Sequence, residues 1–250
     1  MFLDFSDLFH QLSKDHSARG AARIPNDPRE WPIEWKTTYY KDYPSSKKIR
    51  LTDAPPQIDL FSAISSRKSG RLYGEEPVTK DELSVLLKYA CGEITYADGK
   101  VHRAQASGGG RFPIEVYPII FRGTPDLSSG LYHYNVREHS LDVLWERTFT
   151  KEDIAELFTY PWVQDAPLAL VMTAVFSRNK VKYKERGYRY LMLEAGHIGQ
   201  NLYLTSAALD LECCALGGTR DESLEEFIDI DGTTESVVYG FSFGKKKAHD

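Results

Sequence analysis

The sequence lacks most features of secreted, membrane-spanning and general nucleic-acid-binding proteins. Its three cysteines are an odd number without a C-x-x-C pair, which is a poor basis for a disulfide framework. It contains no run of 18 uncharged apolar residues, and its first ten residues lack the basic start of a signal peptide. A net charge of −5 argues against sequence-independent nucleic-acid binding. We therefore expect a reduced cytoplasmic protein without membrane or nucleic-acid partners.

Several familiar catalytic motifs are also missing. There is no G-x-x-x-x-G-K-[ST] phosphate loop and no G-x-S-x-G nucleophile turn. The glycines at 108–110 precede a predicted strand, whereas a dinucleotide fingerprint follows one. Glu194 and His197 have the spacing of a di-iron motif, but no second copy of that motif occurs. We expect no metal, and we expect His197 to be hydrogen-bonded within the core.

The patterns that are present predict one mixed domain over residues 56–244. Helical spacing of apolar residues occurs at 58–65, 77–93, 151–160, 187–210 and 222–230, the last capped from Thr219 or Asp221. Runs rich in β-branched and aromatic residues predict strands at 112–121, 130–136, 167–176 and 235–244. Few regular β-α-β units occur, so the expected class is α+β. Cys213 and Cys214 are expected to pack at a helix end.

Residues 1–55 read as a leading arm rather than a separate domain. A helix is predicted over 4–18. The proline-rich segment that follows holds five Trp and Tyr residues, which would rarely be left in solvent. We expect this segment to lie extended over the surface of the domain. At the other end, residues 245–250 form a basic tail.

The longest predicted helix, 187–210, is apolar on two sides. One stripe contains Leu191, Ala195, Ile198, Leu202 and Leu209, and the other contains Met192, Gly196, Gly199 and Tyr203. A helix with two apolar stripes is buried all round or lies at a subunit interface. Each glycine costs about 1 kcal/mol relative to alanine, which indicates close packing.

Two polar segments are candidates for ligand binding. SSRKSGR places Arg67, Lys68 and Arg71 close to Ser69 in the chain. An arginine side chain can donate two parallel hydrogen bonds to two phosphate oxygens. The alternative is a solvated turn. In QASGGGRFP (105–113), backbone without Cβ atoms can approach a flat or anionic ligand. The alternative is an ordinary loop.

The order of these segments resembles the nitroreductase superfamily, and in particular its SagB-type dehydrogenases, also called azoline oxidases. The resemblance covers about residues 30–245. It depends on RKSGR, ASGGGRFPIEVYP, GLYHYNVREHSL, VFSRNKVKYKERGYRYLMLEAGHIGQNLYLTSAALDL, a GG pair and a final VVYGFSFG. This chain has RKS and ASGG where the family often has RRS and PSGG. Lys68 therefore keeps the positive charge but lacks the planar guanidinium group that can donate two parallel hydrogen bonds.

The resemblance implies a homodimeric FMN protein with an antiparallel or mixed sheet flanked by helices. The long buried helix would lie at the dimer interface, with the flavin between the subunits. By matched position, the residues implied to hold FMN are Arg67, Lys68, Ser69, Arg71, Ser107, Gly108, Gly109, Arg111, Gly217, Gly218 and Lys245.

The resemblance also implies that Lys182 and Tyr183 face the substrate. We hypothesise that Tyr183 is the base and that Lys182 lowers its pKa, since a nearby cation favours the phenolate. The alternative is that both residues merely cap the long helix.

Three functions are compatible with the sequence. The resemblance favours oxidation of thiazoline or oxazoline rings of a ribosomal peptide to azoles, by hydride transfer to flavin N5 and beside a cyclodehydratase partner. The second is an FMN-dependent reductase of dehydroamino acids, enones or nitro compounds that uses NAD(P)H. The third is a scaffold whose arm docks a peptide or partner and whose flavin is structural or absent.

Overall fold

The computed structural model describes residues 4–14, 25 and 27–247. Its α-helices are α1 Phe5–Leu12, α2 Ile33–Lys36, α3 Leu60–Ser66, α4 Lys80–Cys91, α5 Lys151–Leu157, α6 Phe176–Tyr183, α7 Arg186–Ala208 and α8 Asp221–Ile228. Its strands are β1 Lys48–Arg50, β2 Glu93–Thr95, β3 Val101–Arg103, β4 Ile114–Ile120, β5 Gly130–Asn135, β6 Ser140–Glu146, β7 Leu168–Val175, β8 Leu211–Leu216 and β9 Glu235–Lys245.

Seven strands form one antiparallel sheet in the order β1-β6-β5-β4-β7-β9-β8. The central strand β4 is buried along its whole length, and β7 is buried except at its last residue. Because strands covered on both faces need apolar side chains on both, these two sequences are nearly continuous apolar runs. The α+β prediction with helices on both faces of an antiparallel sheet is confirmed.

The sheet separates two hydrophobic cores. Side chains alternate between the faces along a strand, so Leu170 and Met172 of β7 join the core under α4 and α7. Ala169 and Val171 of the same strand join the core under α5 and α8. Helix α4 begins with a capping box, in which Thr79 and Glu82 satisfy each other's backbone N–H groups.

Helix α7 covers the first core with one of its two apolar stripes. Leu191, Ile198 and Leu202 are buried, and a Cβ built on Gly199 would lie 2.8 Å from the Phe241 ring. The other side of the helix is uncovered: Leu193 is 59% exposed, Met192 is 36% exposed, and a Cβ on Gly196 would meet nothing within 4 Å. Gly199 and Tyr203 of the second predicted stripe thus pack on Phe241. The uncovered stripe, which consists of Met192, Leu193 and Gly196, is available to a further surface.

Several local predictions were wrong. Strands β1, β2 and β3 have three residues each, too few to show a period. Strands β6 and β8 and helix α6 were also missed. Cys213 and Cys214 lie in β8, not at a helix end, and His197 is exposed. Helix α8 begins without a side-chain cap, and the Thr219 hydroxyl donates to the Asp221 carboxylate.

The leading arm packs on the domain and adds β1 to the edge of the sheet. It is extended only in part, since a 3₁₀ turn, Pro28–Glu30, and helix α2 interrupt it. Residues 15–18 of the first predicted helix and residues 248–250 of the predicted tail lie outside the described residues. None of the helices described here is long and apolar enough to cross a membrane.

Candidate functional site

The candidate residues fall into two clusters, one near each end of α7. The basic cluster consists of Arg67, Lys68, Ser69 and Arg71 and lies beside Tyr203. The Lys–Tyr cluster consists of Lys182, Tyr183 and the loop 107–111 and lies beside Tyr190. Thirteen residues at 1.5 Å each separate Tyr190 from Tyr203 by about 20 Å. One copy of the chain therefore keeps the two clusters apart.

The basic cluster is fixed by α7 and β8. Helix α3 ends at Ser66, and the guanidinium of Arg67 then lies 5.2 Å from the centre of the Tyr203 ring. Ser69 Oγ is 2.9 Å from the Tyr203 hydroxyl. The Gly70 N–H donates to the Cys213 carbonyl at 2.9 Å, which holds the segment against the edge of the sheet.

The guanidinium groups of this cluster rest on aromatic rings instead of carboxylates. Arg71 lies 5.5 Å from the Trp162 ring centre. Within the described part of the chain, neither Arg67 nor Arg71 forms an ion pair, whereas Lys68 pairs with Glu212 at 3.0 Å. Two unpaired guanidinium groups are available to an anion, which favours the phosphate clamp over the solvated turn.

The glycine pair after β8 lies on the same side as Arg71. Gly218 packs against Tyr160, and Tyr160 stacks on Trp162 with 5.3 Å between ring centres. A Cβ on Gly217 would meet nothing within 4 Å, so its backbone faces open space. Gly218 is thus connected to Arg71 of the basic cluster through the rings of Tyr160 and Trp162.

Lys245, in contrast, is not brought to the basic cluster. Its ammonium donates to Glu82, the capping residue of α4. Successive side chains of a strand point to opposite sides. The next residue, Lys246, lines a cavity of about 40 Å³ together with Lys68 and Ser66. Lys246, whose own ammonium donates to Asp210, is therefore the cation that shares this cavity with Lys68, and the assignment of Lys245 to the FMN site stays a prediction.

The glycine loop packs directly on the Lys–Tyr pair. Gly109 has φ +65°, and a Cβ there would overlap the Tyr183 hydroxyl and lie 3.2 Å from Lys182 Nζ. Gly108 packs on Tyr190 with a similarly short approach, 3.2 Å from the tyrosine Cβ. Only glycine fits at 109 without displacing Tyr183, which favours a built site over an ordinary loop.

Arg111 anchors the end of this loop. It is 1% exposed, and it donates from Nε to the Arg178 carbonyl and from Nη1 to the Thr37 carbonyl, both at 2.8 Å. Its Nη2 is buried and has no partner among the residues the structure describes. Burial lowers the pKa of Arg111. A buried donor without an acceptor is the feature expected where a ligand oxygen would complete the site.

The pKa shift of Tyr183 is opposite to the one hypothesised from the sequence. Burial, and then the nearby Tyr190, raise the pKa of Tyr183. Burial, and then the charge of Arg111, lower the pKa of Lys182. Desolvation disfavours the charged form of each group, so the phenol stays neutral, while the ammonium becomes a stronger acid and releases its proton more easily. Lys182 is the better base of the two. The pair ends α6, and Lys184 at φ +48° turns the chain into α7, so neither residue caps the long helix.

Glu194 is a member of the site that the sequence did not assign. Its carboxylate accepts from Ser107 Oγ at 2.5 Å and from Gln105 Nε2 at 3.2 Å. Ser107 Oγ in turn accepts from the Phe112 N–H at 2.9 Å. Burial raises the pKa of Glu194 to about 7, although these hydrogen bonds oppose the shift. The sequence signal that could have identified Glu194 is an acidic residue among the apolar residues of the buried stripe.

The residues of both clusters fit an FMN ligand. Unpaired guanidinium groups and open glycine backbone suit a phosphate and the edge of a flat ring. The orphaned Arg111 Nη2 suits an acceptor atom.

The chain belongs to the Nitroreductase family, whose model matches residues 64–245. The nitroreductase-family protein MJ1384 of Methanocaldococcus jannaschii is 29% identical over 73% of this chain and 90% of its own length. The trifolitoxin-processing protein TfxB of Rhizobium leguminosarum bv. trifolii is 27% identical over 79% of this chain. This chain spans 57% of TfxB.

Solved structures share the fold. A nitroreductase-family structure from Anabaena variabilis is 29% identical with a TM-score of 0.68, covering 95% of this chain and 45% of that chain. The Escherichia coli microcin synthetase McbBCD complex, with truncated pro-MccB17 bound, is 18% identical with a TM-score of 0.58, covering 98% and 92%. A Desulfovibrio desulfuricans structure in complex with FMN is 16% identical with a TM-score of 0.51, covering 78% and 91%. The FMN prediction is confirmed at the level of the family.

Proposed function

We propose that the protein is a homodimeric FMN-dependent oxidoreductase that oxidises thiazoline or oxazoline rings of a ribosomal peptide to azoles. The observation that carries the proposal is the Lys182–Tyr183 pair, which packs against a glycine loop that fits around it and has no carboxylate neighbour among the described residues. The likeness to TfxB and to the McbBCD complex supports a peptide substrate and a cyclodehydratase partner.

The separation of the two clusters supports a site shared between two copies. A two-fold axis across the uncovered stripe of α7 would set two copies of the helix antiparallel. The basic cluster of one copy would then face the Lys–Tyr cluster of the other. Met192, Leu193 and Gly196 supply the exposed apolar surface that such an interface needs.

In this proposal each cluster has a separate task. Arg67, Arg71 and the backbone at Gly217 hold the phosphate and the ring edge. When bound, FMN would supply the acceptor for the hydride that leaves the azoline ring. Lys182 Nζ takes the proton that leaves the adjacent ring carbon, since its lowered pKa makes the free amine accessible. The Tyr183 hydroxyl stays protonated and donates a hydrogen bond to the substrate.

A complementation experiment tests the shared site. We would co-express K182M, which lacks the base, with the double variant R67Q/R71Q, and assay the mixture for azoline oxidation at an FMN concentration too low to load the double variant alone. If each site uses clusters from both copies, half of the dimers are mixed and each has one intact site, so about a quarter of the wild-type activity returns. If each copy forms its own site, no activity returns. Each variant alone is the control.

Whether the enzyme oxidises or reduces its substrate needs a second measurement. MJ1384 and the Anabaena structure keep the reductase alternative open, since both are nitroreductase-family proteins. Anaerobic mixing of the flavin-loaded protein with NADPH distinguishes the two. Bleaching of the flavin spectrum within seconds favours the reductase. Bleaching by an azoline peptide, without nicotinamide, favours the oxidase. A purified protein that is colourless and takes up no FMN would contradict both.

A further inference from the structure

The ammonium of Lys182 is enclosed by aromatic rings instead of anions. The side chain is 6% exposed, and Nζ lies 3.3 Å from the centre of the Trp31 ring, 5.4 Å from that of Tyr183 and 5.8 Å from that of Trp35. Within the described chain this ammonium has neither a hydrogen bond nor an ion pair. Attraction between a cation and an indole face is strongest where water is excluded.

Both tryptophans belong to the leading arm, which is fixed on either side of them. Trp31 Nε1 donates to the Pro25 carbonyl at 2.7 Å, so a residue that precedes Trp31 in the chain fixes the orientation of its ring. After Trp35, the Thr37 carbonyl accepts from the buried Arg111 Nη1 at 2.8 Å. The same short stretch of the arm therefore contacts Lys182 and the end of the glycine loop.

A second anchor follows a few residues later. Lys41 Nζ donates to Glu235 at 2.6 Å and to the Tyr117 hydroxyl at 2.5 Å, at the edge of the second core. A partly buried ion pair with these contacts resists displacement more than an exposed pair. The arm between the two anchors has little freedom to slide, and the position of Trp31 over Lys182 is set by the tertiary structure.

We propose that Trp31 is a positioning residue of the active site: its indole face, with Trp35 beside it, holds the Lys182 ammonium against the glycine loop at Gly109. The inference rests on the proposed role of Lys182 in proton transfer. A carboxylate partner would hold the same ammonium more tightly, but it would also stabilise the charged form strongly. Aromatic faces fix the position of the lysine while stabilising its charged form less, so that more of the free amine is available.

The groups that face Lys182 come from three elements. Arg111 faces it from the glycine loop, Tyr183 from its own helix, and Trp31 and Trp35 from the arm. Arg111 is the charged group among them. A change in Lys182 titration on substitution of Trp31 therefore reports the loss of the ring face, provided that an apolar residue of sufficient size keeps water out.

The test measures the titration of Lys182 in the full-length, flavin-loaded protein, by NMR of ¹³C-dimethylated lysines with K182M to assign the resonance. Trp31→Phe keeps a ring and Trp31→Leu keeps only an apolar side chain. We expect the pKa of Lys182 to decrease in the order wild type, W31F, W31L, with about one unit between the extremes. The limb of the pH–rate profile that reports deprotonation of Lys182 should move to lower pH by the same amount.

The matched control is Trp145→Leu, because Trp145 makes its own contact with a cation, Arg147, at 5.2 Å in the second core. That variant should leave the titration of Lys182 unchanged.

W35L, for which we expect a smaller downward shift of the Lys182 pKa, is a second variant if W31L does not fold. Equal titration in wild type, W31L and W35L overturns the inference, and so do equal shifts in W31F and W31L. If K182M keeps full turnover while W31L still shifts the titration, the proposed function fails and the contact itself is supported.

Discussion

The two clusters beside α7 use similar residues in different environments. In the basic cluster the cations are exposed or half-buried, and the two guanidinium groups lie on rings with no carboxylate partner in the described chain. In the Lys–Tyr cluster, Lys182 and Arg111 are buried and their pKa values are lowered. Holding a permanent anion needs charge but no change of protonation. Moving a proton near neutral pH needs a shifted pKa, which needs burial.

The largest expected effect is on turnover when the Lys–Tyr cluster loses its amine. K182M should lower turnover by roughly 10²–10⁴, the usual contribution of general acid–base catalysis, while the bound FMN is retained. Steady-state rates and flavin absorbance measure the two quantities. Y183F should have a smaller effect, because it removes a hydrogen bond and not the base. Equal activity of K182M and wild type would contradict the assignment.

A large effect on stability is expected where helix α6 meets the glycine loop. Arg178 Nη1 donates to Glu115 at 2.5 Å and to the Phe112 carbonyl at 2.9 Å. Burial alone would raise the pKa of Glu115, but His133 and Arg178 lower it to about 2. Arg178→Met leaves this buried carboxylate with His133 as its remaining partner and should cost about 3 kcal/mol in the free energy of unfolding.

Urea denaturation measures this cost. The control is Lys151→Met, which breaks an exposed pair with Asp165 and should change stability little. A cost for R178M as small as that of K151M would show that the pair does not anchor the loop.

Glu194 gives the Lys–Tyr cluster a pH dependence that the basic cluster lacks. The folded protein keeps the Glu194 proton up to about pH 7, whereas the ordinary pKa of this side chain is 4.5. The folded state therefore binds more protons between these values, and stability falls as the pH rises through this window by up to about 3 kcal/mol.

Glu194→Gln should remove this fall, because a neutral amide has no proton to lose. Gln105 Oε1, which has no partner now, can accept from the new amide. Denaturation at several pH values measures the effect, with the exposed Glu152→Gln as control. A stability difference between E194Q and wild type that does not vary with pH would refute the shifted pKa.

The smallest expected effects are on FMN affinity at the basic cluster. Arg67→Gln or Arg71→Gln should each weaken FMN binding by roughly 10- to 150-fold, the range for a charged hydrogen bond of about 1.5–3 kcal/mol. Turnover at saturating FMN should change little. Fluorescence titration with FMN measures the affinity. Lys245→Gln is the control, since its ammonium is held by Glu82; a loss there as large as at Arg67 would support the prediction that Lys245 belongs to the FMN site.

Much of the fold could be predicted from the local pattern of apolar residues along the sequence. The buried strands β4 and β7 and helices α4 and α7 were predicted within a few residues, because long periodic segments identify themselves. The edge strands β1 and β8 were not. The three residues of β1 are too few to show a period, and only two residues separate β8 from α7, with no glycine or proline to mark the boundary.

The sequence by itself determined which residues form the two clusters, because the glycines, the guanidinium groups and the Lys–Tyr pair are local features with fixed chemistry. Only the tertiary structure decided that Lys246 and not Lys245 lies beside Lys68, that Trp31 covers Lys182, and that the pKa of Lys182 decreases while that of Tyr183 increases. Burial and contact between residues some 150 positions apart depend on how the sheet and helices pack, and no local pattern contains that information.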